Sequence, residues 1–297
     1  MRGKFHGIIT ALITPFTAAG EIDWPAYKKL LKDQIDAGVS GVVSCGTTGE
    51  TPCLSLAEKK QLIEVTLADL QGTGIQVIAG TGSNNTAETV EFSIWADQQK
   101  VDGILVVTPY YNKPSQSGLE AHFKAVANSV ECDVILYNVP GRTGVCLSAE
   151  TICKLSHHPQ VTTIKEASGN VAFASEILSS LQLAGIELDI LSGDDATFLA
   201  LLSVGAVGTV SVASNLFPGP LVALKKTFDM GDTVGALKLH QHFYPLIKDL
   251  FIDSNPVPVK FCMSVLGRCE PHVRAPLAPL SPGHQKQLQE TMKRCGL

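Results

Sequence analysis

At 297 residues, with 45% hydrophobic and 17% charged side chains, the chain can bury a large core and lacks the composition of a disordered one. A formal net charge of −5, with no basic run or basic–aromatic stripe, excludes a broad nucleic-acid surface. No apolar run approaches the length needed to span a bilayer, so neither a nucleic-acid nor a membrane partner is expected.

The start, MRGKFHGIITALITPF, carries early charges and then an apolar stretch, as a signal peptide does. The stretch is short, Pro15 interrupts it and no small-residue cleavage site follows, so the expected location is the cytoplasm. Eight short runs rich in Val, Ile and Leu then read as strands. In chain order they are GIITALITPF from Gly7, GVVSC from Gly41, QVIAGTG from Gln76, GILVVTPYY from Gly103, DVILYNVP from Asp133, VTTIKEA from Val161, LDILSG from Leu188 and GTVSVAS from Gly208. Near-continuous apolar runs, rather than alternating ones, are the mark of strands covered on both faces, as in a parallel sheet.

Helical patterns fill the gaps, among them EKKQLIEVTLADL and EAHFKAVANSV. Ser55-Leu-Ala-Glu58 and Ser117-Gly-Leu-Glu120 read as capping boxes that satisfy orphan N–H groups at helix starts. Eight strand-then-helix units point to a (β/α)8 TIM barrel. An open doubly wound sheet is the alternative, but AGTGSNN holds only a lone G-x-G of the glycine fingerprint. Helical segments around 232–252, 256–267 and 282–295 follow the eighth strand, the last opened by Ser281 as N-cap and Pro282 as N1. The expected organisation is a catalytic barrel over 1–230 and a C-terminal helical extension over 231–297, packed on it without a linker.

The eight cysteines include no CxxC and no zinc-like pairing, so free, mostly buried thiols are expected. Cys45, beside the GTT turn, is the thiol whose reactivity matters most. His240 and His242 point to opposite sides of a helix and make poor joint ligands. No metal is implied.

Side chains at the C-terminal ends of barrel strands share one mouth, and the unusual polar residues gather there. Strand two ends in Cys45-Gly-Thr-Thr-Gly-Glu50, strand four in Pro109-Tyr-Tyr-Asn112, strand five in Tyr137-Asn-Val-Pro-Gly-Arg142 and strand six in Lys165. Taken singly, each has a plain reading: a turn, a core or interface tyrosine, a solvated arginine, a lysine paired with Glu166. Together they form a coherent chemistry. A sheltered lysine amine attacks a carbonyl carbon to give a Schiff base, and tyrosine and threonine hydroxyls both donate and accept the protons that follow. N–H groups of the GTTGE turn with a threonine hydroxyl suit a carboxylate, and Arg142 offers a planar fork for a second. Small keto acids are the expected ligands.

GTTGE, TPYYNKP, YNVPGRTG and IKEASGN, in this order, resemble the pyruvate-dependent class I aldolase family, which includes the N-acetylneuraminate lyases and the dihydrodipicolinate synthases. The likeness covers essentially the whole chain and is strongest to the synthase branch, through Arg142, SGDD at 192–195 and NPVPVK at 255–260. The resemblance implies that Lys165 forms the imine with pyruvate and that Tyr137 shuttles protons in a relay with Thr47 and Tyr111. It implies that Thr48 holds the pyruvate carboxylate, helped by the main chain around Val210, and that Arg142 receives aspartate 4-semialdehyde. The implied product is 4-hydroxy-tetrahydrodipicolinate, made without metal or organic cofactor. Homotetramers built from tight dimers are implied too, with Tyr111 reaching into a neighbouring subunit. A possible allosteric lysine pocket falls on Pro52, Leu56, Lys59, Asn84, Glu88 and Tyr110. Pro52, Leu56 and Lys59 depart from lysine-sensitive members, so weak or absent feedback is expected. The alternatives are a retro-aldol lyase of a sialic or aldonic acid, which Arg142 disfavours, a phosphosugar aldolase, disfavoured by the acidic SGDD, and a non-catalytic keto-acid-binding barrel.

Overall fold

The computed structural model describes residues 3–297. All eight expected strands form: β1 Gly7–Ala11, β2 Gly41–Ser44, β3 Gln76–Gly80, β4 Gly103–Val107, β5 Asp133–Asn138, β6 Val161–Glu166, β7 Asp189–Ser192 and β8 Gly208–Ser211. They close in chain order into a barrel of parallel strands, with helices between successive strands and further helices after β8, as expected from the repeating units. Every residue of β1, β2, β6, β7 and β8 is buried, which is why these strands read as continuous apolar runs rather than alternating ones. Two strands stop short of the apolar run that announced them: β1 ends at Ala11, where the Ile13 N–H turns to Asn215 Oδ1, and β4 ends at Val107, two residues before Pro109, which lacks the N–H that a ladder needs.

By its internal contacts the chain groups into two compact units. One joins the N-terminal segment through Gly7 to Gln76–Val210; the other joins Ile8–Ile75 to Ser211–Leu297. In the first, Gly103 is required where Phe5 and the Asp133 carbonyl approach, since a Cβ would meet them at 2.7 and 2.9 Å. Glycine is equally required at 208, where a Cβ would lie 2.2 Å from the Gly7 carbonyl oxygen. In the second, the buried amide of Asn215 ties the end of β1 in place, donating to the Ala11 carbonyl at 2.8 Å and accepting from the Ile13 N–H at 3.0 Å.

The Ser55 capping box forms in full, the hydroxyl accepting from the Glu58 N–H at 3.2 Å and the Glu58 carboxylate from the Ser55 N–H at 2.8 Å. The Ser117 box does not form. Ser115, two residues earlier, caps helix Gln116–Ala127 through the Gly118 N–H, and Glu120 turns to Lys124 at 2.6 Å instead. The late helices are Thr233–Asp249, Val257–Val265 and Pro282–Arg294, the last capped by Ser281 as expected. All eight cysteines are free, but only Cys45, Cys262 and Cys295 are buried and Cys146 is exposed. The thiols are less sheltered than expected because Cys53, Cys132, Cys146 and Cys269 lie in loops and short turns. No helix among the described residues is long and apolar enough to cross a membrane.

Candidate functional site

Within the first unit, Lys165 sits at the penultimate position of β6, 6% exposed, and pairs in register with Tyr137 of β5. Parallel partners point the same way, so the two side chains share one face. Lys165 Nζ lies 4.1 Å from the centroid of the buried Tyr137 ring. The ion pair with Glu166 that a plain reading allows does not form. Glu166 is the next residue on the strand and takes the opposite face, where its carboxylate accepts from Asn138 Nδ2 at 2.7 Å and from the Ser168 N–H at 2.6 Å. Among the described residues no carboxylate pairs with Lys165. Room for this side chain depends on Gly193, where a Cβ would meet Ala167 Cβ at 2.5 Å and Lys165 Cε at 3.0 Å. Val210 is buried on β8.

Arg142 is exposed on a single helical turn, Pro140–Thr143. The buried Thr143 hydroxyl anchors that turn, accepting from Thr108 Oγ1 at 3.3 Å and donating to the Val145 carbonyl at 2.9 Å. After β4, Tyr110 is exposed and Tyr111 is 89% exposed with φ of 71°, a left-handed backbone that carries about 1–2 kcal/mol of strain in an L residue. Asn112 braces the loop by donating to the Asn84 carbonyl at 2.8 Å. Of the positions assigned to a lysine pocket in this unit, Asn84 is half-buried and Glu88 exposed.

Within the second unit, Thr47–Gly49 after β2 is a single 3-10 turn with Thr48 buried and Thr47 half-buried. The turn is held from several sides. Thr14 Oγ1 donates to the Gly49 carbonyl at 2.7 Å, and Asn255 Nδ2 donates to Thr48 Oγ1 at 3.0 Å. With the Asn255 amide taking one of its lone pairs, the Thr48 hydroxyl keeps its proton to donate. Asn255 Oδ1 is buried without a partner among the described residues. The turn ends on Glu50, whose φ of 55° is left-handed and whose carboxylate is fully buried against Lys260 Nζ at 2.5 Å and the Arg274 N–H at 2.9 Å. Burial pushes the Lys260 amine below the usual lysine range, and Glu50 offsets only part of that. Arg274 holds Glu58 down at about 2 through its hydrogen bond. Cys45 is buried, and loss of hydration pushes its thiol up to about 12, which makes it a poor nucleophile. Pro52 and Leu56 are exposed and Lys59 is half-buried, its carbonyl accepting from Cys45 Sγ at 3.5 Å.

Sequence reasoning did not single out Gly193, Asn255, Glu50 or Lys260. Gly193 and Asn255 stand in SGDD and NPVPVK, motifs noticed only for their likeness to relatives. The Glu50–Lys260 pair has no local signature, because 210 residues separate its members.

The chain can therefore present a buried amine against a tyrosine and, on a separate turn, a hydroxyl able to donate. Comparison with known proteins places the chain in a family. The model of the dihydrodipicolinate synthetase family matches residues 4–295. A 4-hydroxy-tetrahydrodipicolinate synthase from Leptospira biflexa is 46% identical over 279 residues, covering 94% of this chain and 93% of that one. One from Nitratidesulfovibrio vulgaris is 42% identical over 295 residues, 99% of both. The solved structure of the synthase from Methylacidiphilum fumariolicum SolV superposes with a TM-score of 0.95 at 44% identity, covering 99% of this chain and 96% of that one. The chain belongs to the dihydrodipicolinate synthetase family.

Proposed function

We propose that the protein is a lyase of the 4-hydroxy-tetrahydrodipicolinate synthase type, condensing pyruvate with L-aspartate 4-semialdehyde in the route to diaminopimelate and lysine. One observation carries this reading: an amine 6% exposed, free of any carboxylate among the described residues, held 4.1 Å from a tyrosine ring at the C-terminal end of a barrel strand. Such an amine has its lone pair available once it is deprotonated. It adds to the keto carbon of pyruvate, the carbinolamine loses water, and the resulting iminium gives up a methyl proton to become an enamine. The enamine carbon attacks the aldehyde of the second substrate. That substrate's own amino group then displaces Lys165 from the imine carbon, closing the ring and freeing the enzyme.

The assignment of roles rests on family resemblance together with the chemistry of each group. Tyr137 transfers protons at the imine centre, with Thr47 and Tyr111 as relay hydroxyls. Thr48 and the main chain around Val210 hold the pyruvate carboxylate, and Arg142, exposed on its helical turn, receives the carboxylate of the aldehyde. Borohydride reduction with pyruvate, followed by peptide mass mapping, tests the covalent step. The expected result is one adduct, on Lys165, absent from Lys165→Arg; turnover by that variant would end the proposal.

We further propose a cytoplasmic homotetramer built from tight dimers. Tyr111 supports it, since an aromatic ring 89% exposed on strained backbone is suited to being covered by a neighbouring subunit. Light scattering under assay conditions tests this: a fully active monomer contradicts the shared relay.

A further inference from the structure

We infer that Lys260 and Glu50 are positioning residues for the keto-acid carboxylate subsite, locking the turn that presents Thr47 and Thr48. The inference rests on the function proposed above and deepens it. The turn has little regular structure of its own: three residues of 3-10 helix ending in a left-handed glutamate. A lone turn of this kind has several conformations of similar energy, whereas a subsite for a planar carboxylate needs its donors fixed to within about half an ångström.

The fixing comes from distant chain. The segment Asn255–Lys260 grips the turn twice, through Asn255 on the Thr48 hydroxyl and Lys260 on the Glu50 carboxylate. Lys260 is wholly buried, and its remaining donors reach the His272 carbonyl at 2.7 Å, with the Phe16 ring centroid 4.2 Å away. Arg274 supplies the second bond to Glu50 from its backbone. Its guanidinium spans the Gly20 and Cys53 carbonyls and the Glu58 carboxylate, 4.3 Å from the same ring. Two cations and two carboxylates thus cancel around one phenyl ring. A buried ion pair is weak evidence for net stability, since two apolar side chains of similar volume often serve as well. What such a pair supplies is directional: each of its bonds fails if the turn shifts. The Thr48 subsite is the part of the turn that needs that constraint.

The test separates binding from chemistry. Lys260→Met with Glu50→Gln removes both buried charges at similar volume, so the fold is expected to survive. The expected outcome is a KM for pyruvate raised at least about tenfold, with borohydride trapping on Lys165 at saturating pyruvate within about threefold of the parent rate. Glu50→Gln alone keeps an acceptor for Lys260 and is expected to hold KM within about threefold. Lys260→Leu with Glu50→Met also removes both charges, leaves no unpaired one, carries the same expectation, and decides the matter if the first double variant does not fold. A folded variant with unchanged KM, or one losing only kcat, overturns the positioning role. Absence of any adduct in the parent protein is a different failure, that of the proposed function itself.

Discussion

Two buried lysines divide the chemistry of this chain between them. Lys165 and Lys260 both lie close to an aromatic ring, 4.1 Å from that of Tyr137 and 4.2 Å from that of Phe16. They differ in what else surrounds the nitrogen. Lys260 donates to a carboxylate and a carbonyl, whereas Lys165 has no carboxylate partner among the described residues. An ammonium that donates to a carboxylate and a carbonyl has no lone pair to offer a carbonyl carbon. Lys165 has no such commitment and stands against the Tyr137 ring alone. Burial alone therefore does not mark a nucleophile; burial without a counter-charge is what the proposed role of Lys165 requires.

The sharpest way to break this comparison is to turn each lysine into methionine. Lys165→Met is expected to abolish the pyruvate adduct while leaving stability unchanged or raised by about 1 kcal/mol, as often happens when an active-site group is replaced by an apolar one. Lys260→Met strands the Glu50 carboxylate in the interior and is expected to lower stability by about 3–5 kcal/mol. Urea unfolding beside borohydride trapping reads both. Equal destabilisation by the two changes would show that the lysines are structural equivalents.

The two lysines also show what sequence reading can reach. Lys165 was legible because a lone lysine closing an apolar strand run breaks a local pattern, and strand ends in a barrel face one mouth. Its pairing with Tyr137 was not, because the β5–β6 register shifts between Val134 and Ile135, a feature of pairing that neither strand encodes by itself. Lys260 sits in NPVPVK, a segment that likeness to relatives marks but to which no local chemistry assigns a role, and its partner is 210 residues away. Caps show the same limit at short range. Ser55 and Ser117 have identical spacing to a glutamate, but only Ser117 has a competing serine two residues before it, and Ser115 takes the cap. Local patterns announced the elements; competition between near-equivalent groups, and contacts across the chain, decided the rest.

A smaller effect sharpens the electrostatic side. The Arg274 bond holds Glu58 at about 2 when folded, against an ordinary value of 4.5. A carboxyl more acidic in the folded state contributes stability that is fully present above its unfolded value and is lost as pH falls from about 4.5 through about 2. Glu58 remains partly in contact with water, so the contribution is modest. Arg274→Gln is expected to flatten the decline of unfolding free energy in that acid window and to leave the slope between pH 6 and 8 unchanged. The Lys260–Glu50 pair lies outside this test, so an altered slope near neutrality would mean that the four charges respond as one unit.

The smallest expected effect concerns L-lysine as a ligand. By resemblance, Lys59 is expected to stand beside a site for L-lysine. Lys59 is half-buried, and it places a cation at a position where lysine-sensitive relatives can carry histidine. A second ammonium about 4 Å away meets repulsion of about 1 kcal/mol in water and more where solvent is partly excluded. Millimolar L-lysine is therefore expected to change the initial rate by less than about twofold, and Lys59→Gln to strengthen binding by roughly fivefold, an effect that fades at high salt. Potent inhibition of the parent enzyme would place the ligand's ammonium away from Lys59. Inhibition that appears only in Lys59→Gln would identify this one side chain as the reason feedback is weak.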